Sequence, residues 1–238
     1  MKYSRITGTG SYLPEKVLTN KDLEKIMDTT DEWIRERTGI GKRHIAAGDE
    51  TACDLAEVAA TRAMEVAGKT PRQVDLIVLA TTTPDRVFPS TACLLQQRLD
   101  IHGTAAFDVQ AVCTGFIYAM GIADKFIRTG SAKCALVVGT ETLSRIVDWN
   151  DRSTSILFGD GAGAVILEAS DEPGILSTHL HADGSYEHLL TVPHGISSGY
   201  EHVQAGHAYV QMQGNEVFKM AVNTLGRIVD ETLAANKL

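Results

Sequence analysis

Short apolar runs alternate with amphipathic stretches along the first 170 residues. An uninterrupted apolar run is typical of a strand buried on both faces, whereas apolar residues spaced three and four apart indicate a helix. The pattern predicts helices over 51–67, 90–99 and 114–129, and strands over 75–80, 105–109, 134–138 and 161–167. Alternation of this kind predicts an α/β domain whose sheet is at least partly parallel.

The pattern changes after residue 170. The polar segment 170–174 is the internal boundary that we predict, and a strand over 175–180 follows it. Residues 186–206 are rich in Gly, Ser and His without periodicity, which indicates a long surface loop. Apolar residues at helical spacing from Val217 to Leu233 then predict one amphipathic helix. One strand and one helix are too few for a second sheet.

Composition and charge exclude several classes of protein. The chain has 238 residues, of which 44% are apolar and 22% charged, as in ordinary globular domains. Its formal net charge of −8 argues against a general nucleic-acid or membrane-surface binder, because both of those polyanions attract basic proteins. The amino terminus lacks the apolar segment of a signal peptide, and no apolar run approaches the roughly 20 residues of a spanning helix. We therefore expect a cytoplasmic protein.

Four cysteines are present, at positions 53, 93, 113 and 134. They include no Cys-x-x-Cys pair, and no His lies at metal-ligand spacing, so free thiols and no metal site are expected. Cys113 follows a predicted strand by a short turn and precedes a predicted helix, where helix N–H groups favour a thiolate nucleophile. The alternative is a small buried hydrophobic residue, which spacing alone favours.

Three other patterns suggest binding sites, but each favours a simpler interpretation. Trp33, Arg35 and Arg37 could stack a purine and hold phosphates, although such a set is typical of a solvated helix face. The glycines of 158–164 run directly into a strand, which favours close strand packing over a phosphate loop. Six histidines between His179 and His207 lack an organising helix, which favours surface residues over a metal site.

Five segments, taken together, resemble a known family of enzymes. The chain is similar to the condensing enzymes of the thiolase superfamily, and most closely to the β-ketoacyl-[acyl-carrier-protein] synthase III family. The segments that carry the resemblance are 7–14, 33–40, 81–85, 108–115 and 157–164. The resemblance implies a thiolase-like layered α/β/α/β/α fold, with a complete first half over 1–170 and an incomplete second half over 171–238.

The resemblance also implies the reaction, a decarboxylative Claisen condensation without a metal or redox cofactor. Acetyl-CoA or another short acyl-CoA would acylate Cys113, and malonyl-acyl carrier protein would then supply the carbon nucleophile that yields a 3-oxoacyl product. A homodimer is implied as well. Two alternatives stay open: a related condensing enzyme of the hydroxymethylglutaryl-CoA or polyketide type, and a non-catalytic fragment that binds a carrier protein or dimerises.

The resemblance assigns further site residues. The implied contacts are Trp33 and Arg152 on the adenine, Thr29 and Arg37 near the nucleotide, Asn215 and Phe218 on the pantetheine, Lys219 on the carrier protein, and Phe88 at the acyl pocket and dimer interface. In this family a His and an Asn that promote decarboxylation follow the helix predicted to end near Leu238. His194 lies upstream of that place and is not assigned to the role. We expect acylation of Cys113 without full turnover.

Overall fold

The computed structural model describes residues 2–238, which form two compact units. The first unit is built from residues 2–16, His44–Thr142 and Asp160–Leu180, and the second from Val17–Arg43, Leu143–Gly159 and His181–Leu238. The predicted division at residue 170 concerns the two halves of a thiolase-like fold, and it stays a prediction. Among the described residues, no helix is long and apolar enough to cross a bilayer.

Nine strands and eight α-helices are present among the described residues. The strands are β1 (Tyr3–Tyr12), β2 (Lys16–Thr19), β3 (Lys42–Ile45), β4 (Leu76–Ala80), β5 (Ala105–Val109), β6 (Cys134–Thr142), β7 (Asp160–Ser170), β8 (Leu190–Thr191) and β9 (Gln211–Met212). The helices are α1 (Asn20–Leu23), α2 (Asp31–Thr38), α3 (Ala52–Ala67), α4 (Thr91–Arg98), α5 (Gly115–Arg128), α6 (Arg152–Ser155), α7 (Tyr200–Gln204) and α8 (Gly214–Asn236).

A five-stranded mixed sheet forms the centre of the first unit. Its strand order is β1-β7-β6-β4-β5; β4 is parallel to β5 and β6, whereas β7 is antiparallel to β1 and β6. Every residue of β4 is buried. Its odd and even positions belong to separate apolar clusters, and those clusters contain α3 and α4 on one side and α5 on the other. The prediction of an α/β domain with a partly parallel sheet is therefore confirmed.

The local signals for helix ends account for α3. Thr51 and Asp54 form a capping box at its amino terminus, so two otherwise unpaired backbone donors are satisfied there. Gly68 ends the helix in the left-handed conformation, at a φ of 63°, which glycine adopts without steric cost. The helices predicted over 90–99 and 114–129 are likewise confirmed as α4 and α5.

Two glycines of β1 permit a close approach of that strand to α3. A Cβ added at Gly8 would overlap the carbonyl oxygen of Ala63, and one at Gly10 would overlap that of Ala59. The obstacle in each case is backbone, so a side chain there cannot be accommodated by a rotamer change. These glycines set the distance at which α3 packs on the sheet.

Two predictions after residue 170 are wrong. Residues 175–180 do not form a strand: the Ile175 N–H donates to the Ser4 carbonyl over 2.8 Å, but Arg128 occupies the Ile175 carbonyl, so no ladder continues. The region 186–206 is not one irregular loop, because it contains β8, α7 and two short 3₁₀ turns. Such turns close by local hydrogen bonds and need no apolar periodicity to reveal them.

The predicted carboxyl-terminal helix is confirmed as α8, but its apolar side is exposed. No residue of α8 is buried in this structure. The exposed apolar residues follow helical spacing, and they are Phe218, Val222, Leu225, Val229 and Leu233. The second unit instead has a small core of its own around Leu23, Ile34 and Ile156.

Asp124 is a buried carboxylate at the centre of a charged network in the first unit. It accepts hydrogen bonds from the Ser4 hydroxyl, from Lys125 Nζ at 2.8 Å and from Arg128 Nε at 2.9 Å. Burial by itself raises the pKa of Asp124, but the bonds from Lys125, Ser4 and Arg128 outweigh it and hold that pKa below its ordinary value. The charged form is therefore the stabilising one.

We expect Asp124→Asn to lower the free energy of unfolding by about 3 kcal/mol at pH 7, since two cations lose their buried partner. A lowered folded-state pKa gives stability above the unfolded value near 3.8 that disappears as pH falls through the folded one. The variant should lack this part of the unfolding free energy, which the wild type loses in acid.

Urea unfolding from pH 7 to pH 2 measures both effects. Asp171→Asn, which removes an exposed ion pair with Lys2, should cost under about 1 kcal/mol; equal losses would contradict the role of Asp124.

Candidate functional site

Cys113 lies beyond the carboxyl end of β5, in the 3₁₀ turn Val112–Thr114 that leads directly into α5. A Cβ at Gly115 would stand 3.2 Å from the Ala80 Cβ at the end of β4, so glycine allows the start of α5 to pack closely there. The predicted placement before a helix is therefore confirmed. Cys113 is exposed, so the alternative of a buried hydrophobic residue is wrong.

The backbone around Cys113 leaves hydrogen-bond donors available to a thiolate. Thr114, which occupies the N-cap of α5, does not accept a bond from the helix. Its hydroxyl instead donates to the Ala111 carbonyl at 2.9 Å. The first N–H groups of α5 thus lack a cap from Thr114, and such groups stabilise negative charge on sulfur or on an oxyanion.

Val112 adopts a strained conformation next to the thiol. Its φ of 47° lies in the left-handed region, which a β-branched residue rarely occupies. Such a residue costs on the order of 1–3 kcal/mol and persists only where the surrounding structure holds it. The strained turn directs the chain from β5 into α5 with Cys113 on the outside.

The other three cysteines occupy structural positions. Cys53 and Cys134 are buried, and burial raises the pKa of Cys53 to about 12 and that of Cys134 to about 11. The Cys93 thiol is partly buried and points to the Ala106 carbonyl, 3.5 Å away. Of the four, only Cys113 combines exposure with a helix amino terminus.

Two guanidinium groups cover the indole ring of Trp33 in the second unit. Thr30 caps α2 by accepting from the Trp33 N–H, and the ring then meets Arg37 at 4.3 Å and Arg152 at 4.6 Å from its centre. Arg152 also donates to the Asp28 carbonyl over 2.7 Å. The structure thus brings together three of the predicted nucleotide-binding residues. A cation on an aromatic face is attractive, so this arrangement is stable without a ligand.

The stack is closed in this structure. A base between Trp33 and Arg152 would need about 3.5 Å on each side, more than the 4.6 Å that separates the guanidinium carbon from the ring centre. Arg152 must therefore move for a purine to enter. Arg35 takes no part, because both oxygens of Asp31 hold its Nε at 2.9 Å. Of the two arginines of α2, only Arg37 faces the ring, and Arg152, which the resemblance pairs with Trp33, lies against it as well.

The remaining predicted site residues belong to three segments of the chain. Thr29 Oγ1 is buried and has no hydrogen-bond partner within residues 2–238. Asn215, Phe218 and Lys219 lie exposed on the first turns of α8, and Lys219 Nζ pairs with Glu216 at 2.9 Å. Phe88 is 82% exposed, between β4 and α4.

The glycine-rich segment 158–164 is a strand, as the simpler interpretation predicts. Residues from Asp160 onward form β7 and no helix follows, so a phosphate loop is excluded. Close packing accounts for only one of the two glycines of this segment that lie within β7. A Cβ at Gly161 would meet Leu13 at 2.9 Å, whereas one at Gly163 would meet nothing within 4 Å.

Three histidines that the sequence pattern does not bring together lie close to one another in the second unit. The rings of His194 and His202 stack with their centres 4.4 Å apart, and His207 lies 6.1 and 6.0 Å from them. Within residues 2–238, no three His, Cys, Asp or Glu side chains form a group that could hold a metal.

A carboxylate that is not among the predicted site residues lies at the carboxyl ends of the parallel strands. Glu141, near the end of β6, accepts from the Thr82 N–H at 2.8 Å and from the Thr83 hydroxyl at 2.7 Å. Burial is the largest influence on the pKa of Glu141 and raises it above the ordinary value, despite opposing hydrogen bonds from the two threonines. The available signal is an acidic residue at the end of an otherwise apolar strand.

Comparisons with known proteins agree with this geometry. The family model for 3-oxoacyl-[acyl-carrier-protein (ACP)] synthase III matches residues 107–184, which include Cys113. A β-ketoacyl-[acyl-carrier-protein] synthase III of Thioalkalivibrio sulfidiphilus is 74% identical over 238 residues, which cover all of this chain and 74% of that protein.

Solved structures show the same likeness. A 3-oxoacyl-[acyl-carrier-protein] synthase III from Aquifex aeolicus superposes with a TM-score of 0.92 at 49% identity, over 99% of this chain and 72% of that one. The priming β-ketosynthase of the R1128 polyketide pathway reaches a TM-score of 0.90 at 37% identity, over 94% and 67% of the two chains. The thiolase-like fold is thereby confirmed, and the chain belongs to the β-ketoacyl-[acyl-carrier-protein] synthase III family.

Proposed function

We propose that this acyltransferase initiates fatty-acid synthesis by condensing acetyl-CoA, or another short acyl-CoA, with malonyl-acyl carrier protein. The observation that carries the proposal is the exposed Cys113 at the amino terminus of α5, in a chain of this family. A thiolate in that position is a suitable nucleophile for a thioester. No other of the four cysteines combines these properties.

The reaction proceeds in two half-reactions. The Cys113 thiolate attacks the acyl-CoA carbonyl, the N–H groups at the start of α5 stabilise the oxyanion, and the CoA thiolate leaves as acyl-Cys113 forms. Malonyl-acyl carrier protein then loses CO₂, and the electron pair of the broken C–C bond stays on the remaining carbon as an enolate. The enolate attacks the carbonyl of acyl-Cys113. The 3-oxoacyl-carrier product departs and the Cys113 thiolate is restored. Because the loss of CO₂ generates the carbanion, this step needs no redox cofactor.

The substrate-binding roles are part of the same proposal. Trp33 and Arg152 hold the adenine, with Thr29 and Arg37 beside the nucleotide; the unpartnered Thr29 hydroxyl supports this. Asn215 and Phe218 bind the pantetheine, Lys219 contacts the acidic carrier protein, and Phe88 shapes the acyl pocket at a homodimer interface. The enzyme acts in the cytoplasm.

The nucleotide-binding role of Trp33 predicts a loss of affinity in Trp33→Ala. Stacking on an aromatic side chain contributes about 1–3 kcal/mol per base, so the Kd for acetyl-CoA should rise about tenfold to a hundredfold. Isothermal titration calorimetry measures the change, and a thermal melt verifies the fold. Arg35→Ala is the matched control in α2, because Arg35 pairs with Asp31 and is not one of the two arginines that cover the ring. Equal losses in both variants would contradict a specific stack.

Acylation of the purified chain tests the proposed function most directly. After exposure to acetyl-CoA, intact-mass analysis should show one added acetyl group, and peptide mapping should place it on Cys113. Absence of the adduct, or its appearance on another cysteine, would overturn the proposal. If acylation is absent but a carrier protein still binds, the chain is a non-catalytic interaction module.

A second candidate function is a related condensation of the polyketide or hydroxymethylglutaryl-CoA type. The likeness to a priming polyketide ketosynthase favours the first of these. The candidates differ in the source of the carbon nucleophile and not in the cysteine. Comparing malonyl-acyl carrier protein with free malonyl-CoA as extender, and then identifying the product, separates them.

A further inference from the structure

Glu141 ties together the ends of two parallel strands in the first unit. Its two oxygens accept from the Thr82 N–H and from the Thr83 hydroxyl, at the end of β4. The Thr83 hydroxyl oxygen in turn accepts from the Thr142 N–H at 2.8 Å, at the end of β6. These bonds orient the Thr83 hydroxyl between Glu141 and Thr142, and the acceptor at the centre of the set is ionisable.

The segment anchored by Glu141 connects the end of the sheet beside the Cys113 turn with Phe88. At its start, the Thr81 N–H donates to the Val109 carbonyl over 3.2 Å, at the end of β5 from which the Cys113 turn continues. Farther along, Asp85 accepts from the Cys53 N–H at 2.9 Å, at the first turn of α3. Residues 86–89 then run along the surface, and they include the exposed Phe88.

The remaining anchors of the segment differ from Glu141 in kind. They are single bonds, such as the Thr83 N–H to Thr81 Oγ1 at 3.1 Å and the Asp85 N–H to Thr91 Oγ1 at 3.3 Å. Glu141 makes two bonds from one carboxylate to successive residues, and charged acceptors form the stronger bonds. Removing its carboxylate should loosen this segment more than removing any single hydroxyl.

We propose that Glu141 is a positioning residue that holds the 82–88 segment in place and so determines which acyl chains are accepted for transfer to Cys113. The inference rests on the proposed function, in which Phe88 shapes the acyl pocket. Glu141 acts through the segment and does not touch the acyl group. Its loss therefore changes the discrimination between short and long acyl chains and leaves the nucleophile intact.

The experiment compares acylation of Cys113 by acetyl-CoA and by hexanoyl-CoA, followed by intact-mass analysis. In Glu141→Ala we expect the ratio of the two rates to change about tenfold, the equivalent of one charge-assisted hydrogen bond. Glu141→Gln should restore most of the wild-type ratio, since its amide oxygen can still accept from Thr82. Glu168→Gln is the matched control: it alters a partly buried carboxylate of β7 that pairs with Lys69 at 2.5 Å, and it should leave the ratio unchanged.

An unchanged ratio in Glu141→Ala would overturn the inference, whether both rates stay at the wild-type level or fall by the same factor, as a merely structural role would produce. Amide hydrogen exchange gives a second readout that does not depend on acylation. Exchange at Thr82 and Thr83 should be at least about tenfold faster in Glu141→Ala than in the wild type, and unchanged exchange would also refute the positioning role. If wild-type Cys113 is not acylated by either substrate, the proposed function fails on its own account.

Discussion

Cys113→Ala is expected to abolish acyl transfer from acetyl-CoA, with no acetyl group on the protein and a rate at least about 10³-fold below that of the wild type. The physical reason is that the covalent route requires a nucleophile at the start of α5, and alanine supplies none. The N–H groups of the helix remain, but they can only polarise a carbonyl and cannot accept the acyl group. Quenched-flow mixing with radiolabelled acetyl-CoA measures the rate.

Cys93→Ala provides the matched control for this prediction. Cys93 also lies in the first turn of a helix, α4, but its thiol is partly buried against the Ala106 carbonyl. Its replacement should leave acylation within about twofold of the wild type, because no reacting group is lost. An acetyl adduct that persists in Cys113→Ala, or one that disappears in Cys93→Ala, would show that the nucleophile has been misassigned.

Gly10→Ala is expected to lower the free energy of unfolding of the first unit by about 3 kcal/mol or more. The added methyl group would overlap the Ala59 carbonyl oxygen and crowd the Ala63 amide nitrogen of α3. Both groups belong to a helix backbone, so relief requires α3 to move away from the sheet and to open the apolar cluster beneath it. Urea unfolding followed by circular dichroism measures the loss.

Gly163→Ala separates this steric effect from the general effect of replacing a strand glycine. Gly163 lies in the middle of β7, where a Cβ would meet no atom within 4 Å. The substitution should change stability by less than about 1 kcal/mol, and the lower backbone entropy of alanine favours a slight gain. If both variants lost the same stability, the close approach of β1 to α3 would not be the cause.

Local features of the fold could be predicted because their causes lie within a few residues of one another. The unbroken apolar run from Leu76 to Ala80 is compatible with a strand covered on both faces, and the structure buries all of it. Thr51 and Gly68 act on the helix ends that they adjoin. The position of Cys113 follows from the same local logic, a strand, a tight turn and a helix.

Contacts between distant residues could not be predicted in this way. Apart from the family resemblance, nothing near Trp33 indicates that Arg152 would cover its ring. Arg35, which is close to Trp33 in sequence, is held by Asp31 one helical turn away. The bond between Thr83 and Glu141 likewise joins residues 58 positions apart in sequence. Such pairs depend on which strands lie side by side, and periodicity within a segment carries no information about its neighbours.

The sequence by itself determined the α/β class, the helix ends, the candidate nucleophile and, through its motifs, the resemblance to a condensing-enzyme family. The tertiary structure alone decided that Cys113 is exposed while Cys53 and Cys134 are buried, that Arg152 lies too close to Trp33 to leave room for a base, and that Glu141 anchors the segment before Phe88. The physical reason is the range of the interactions. Capping and amphipathic patterning act over one or two helical turns, whereas burial and side-chain partnership are set by chain segments that meet only after folding.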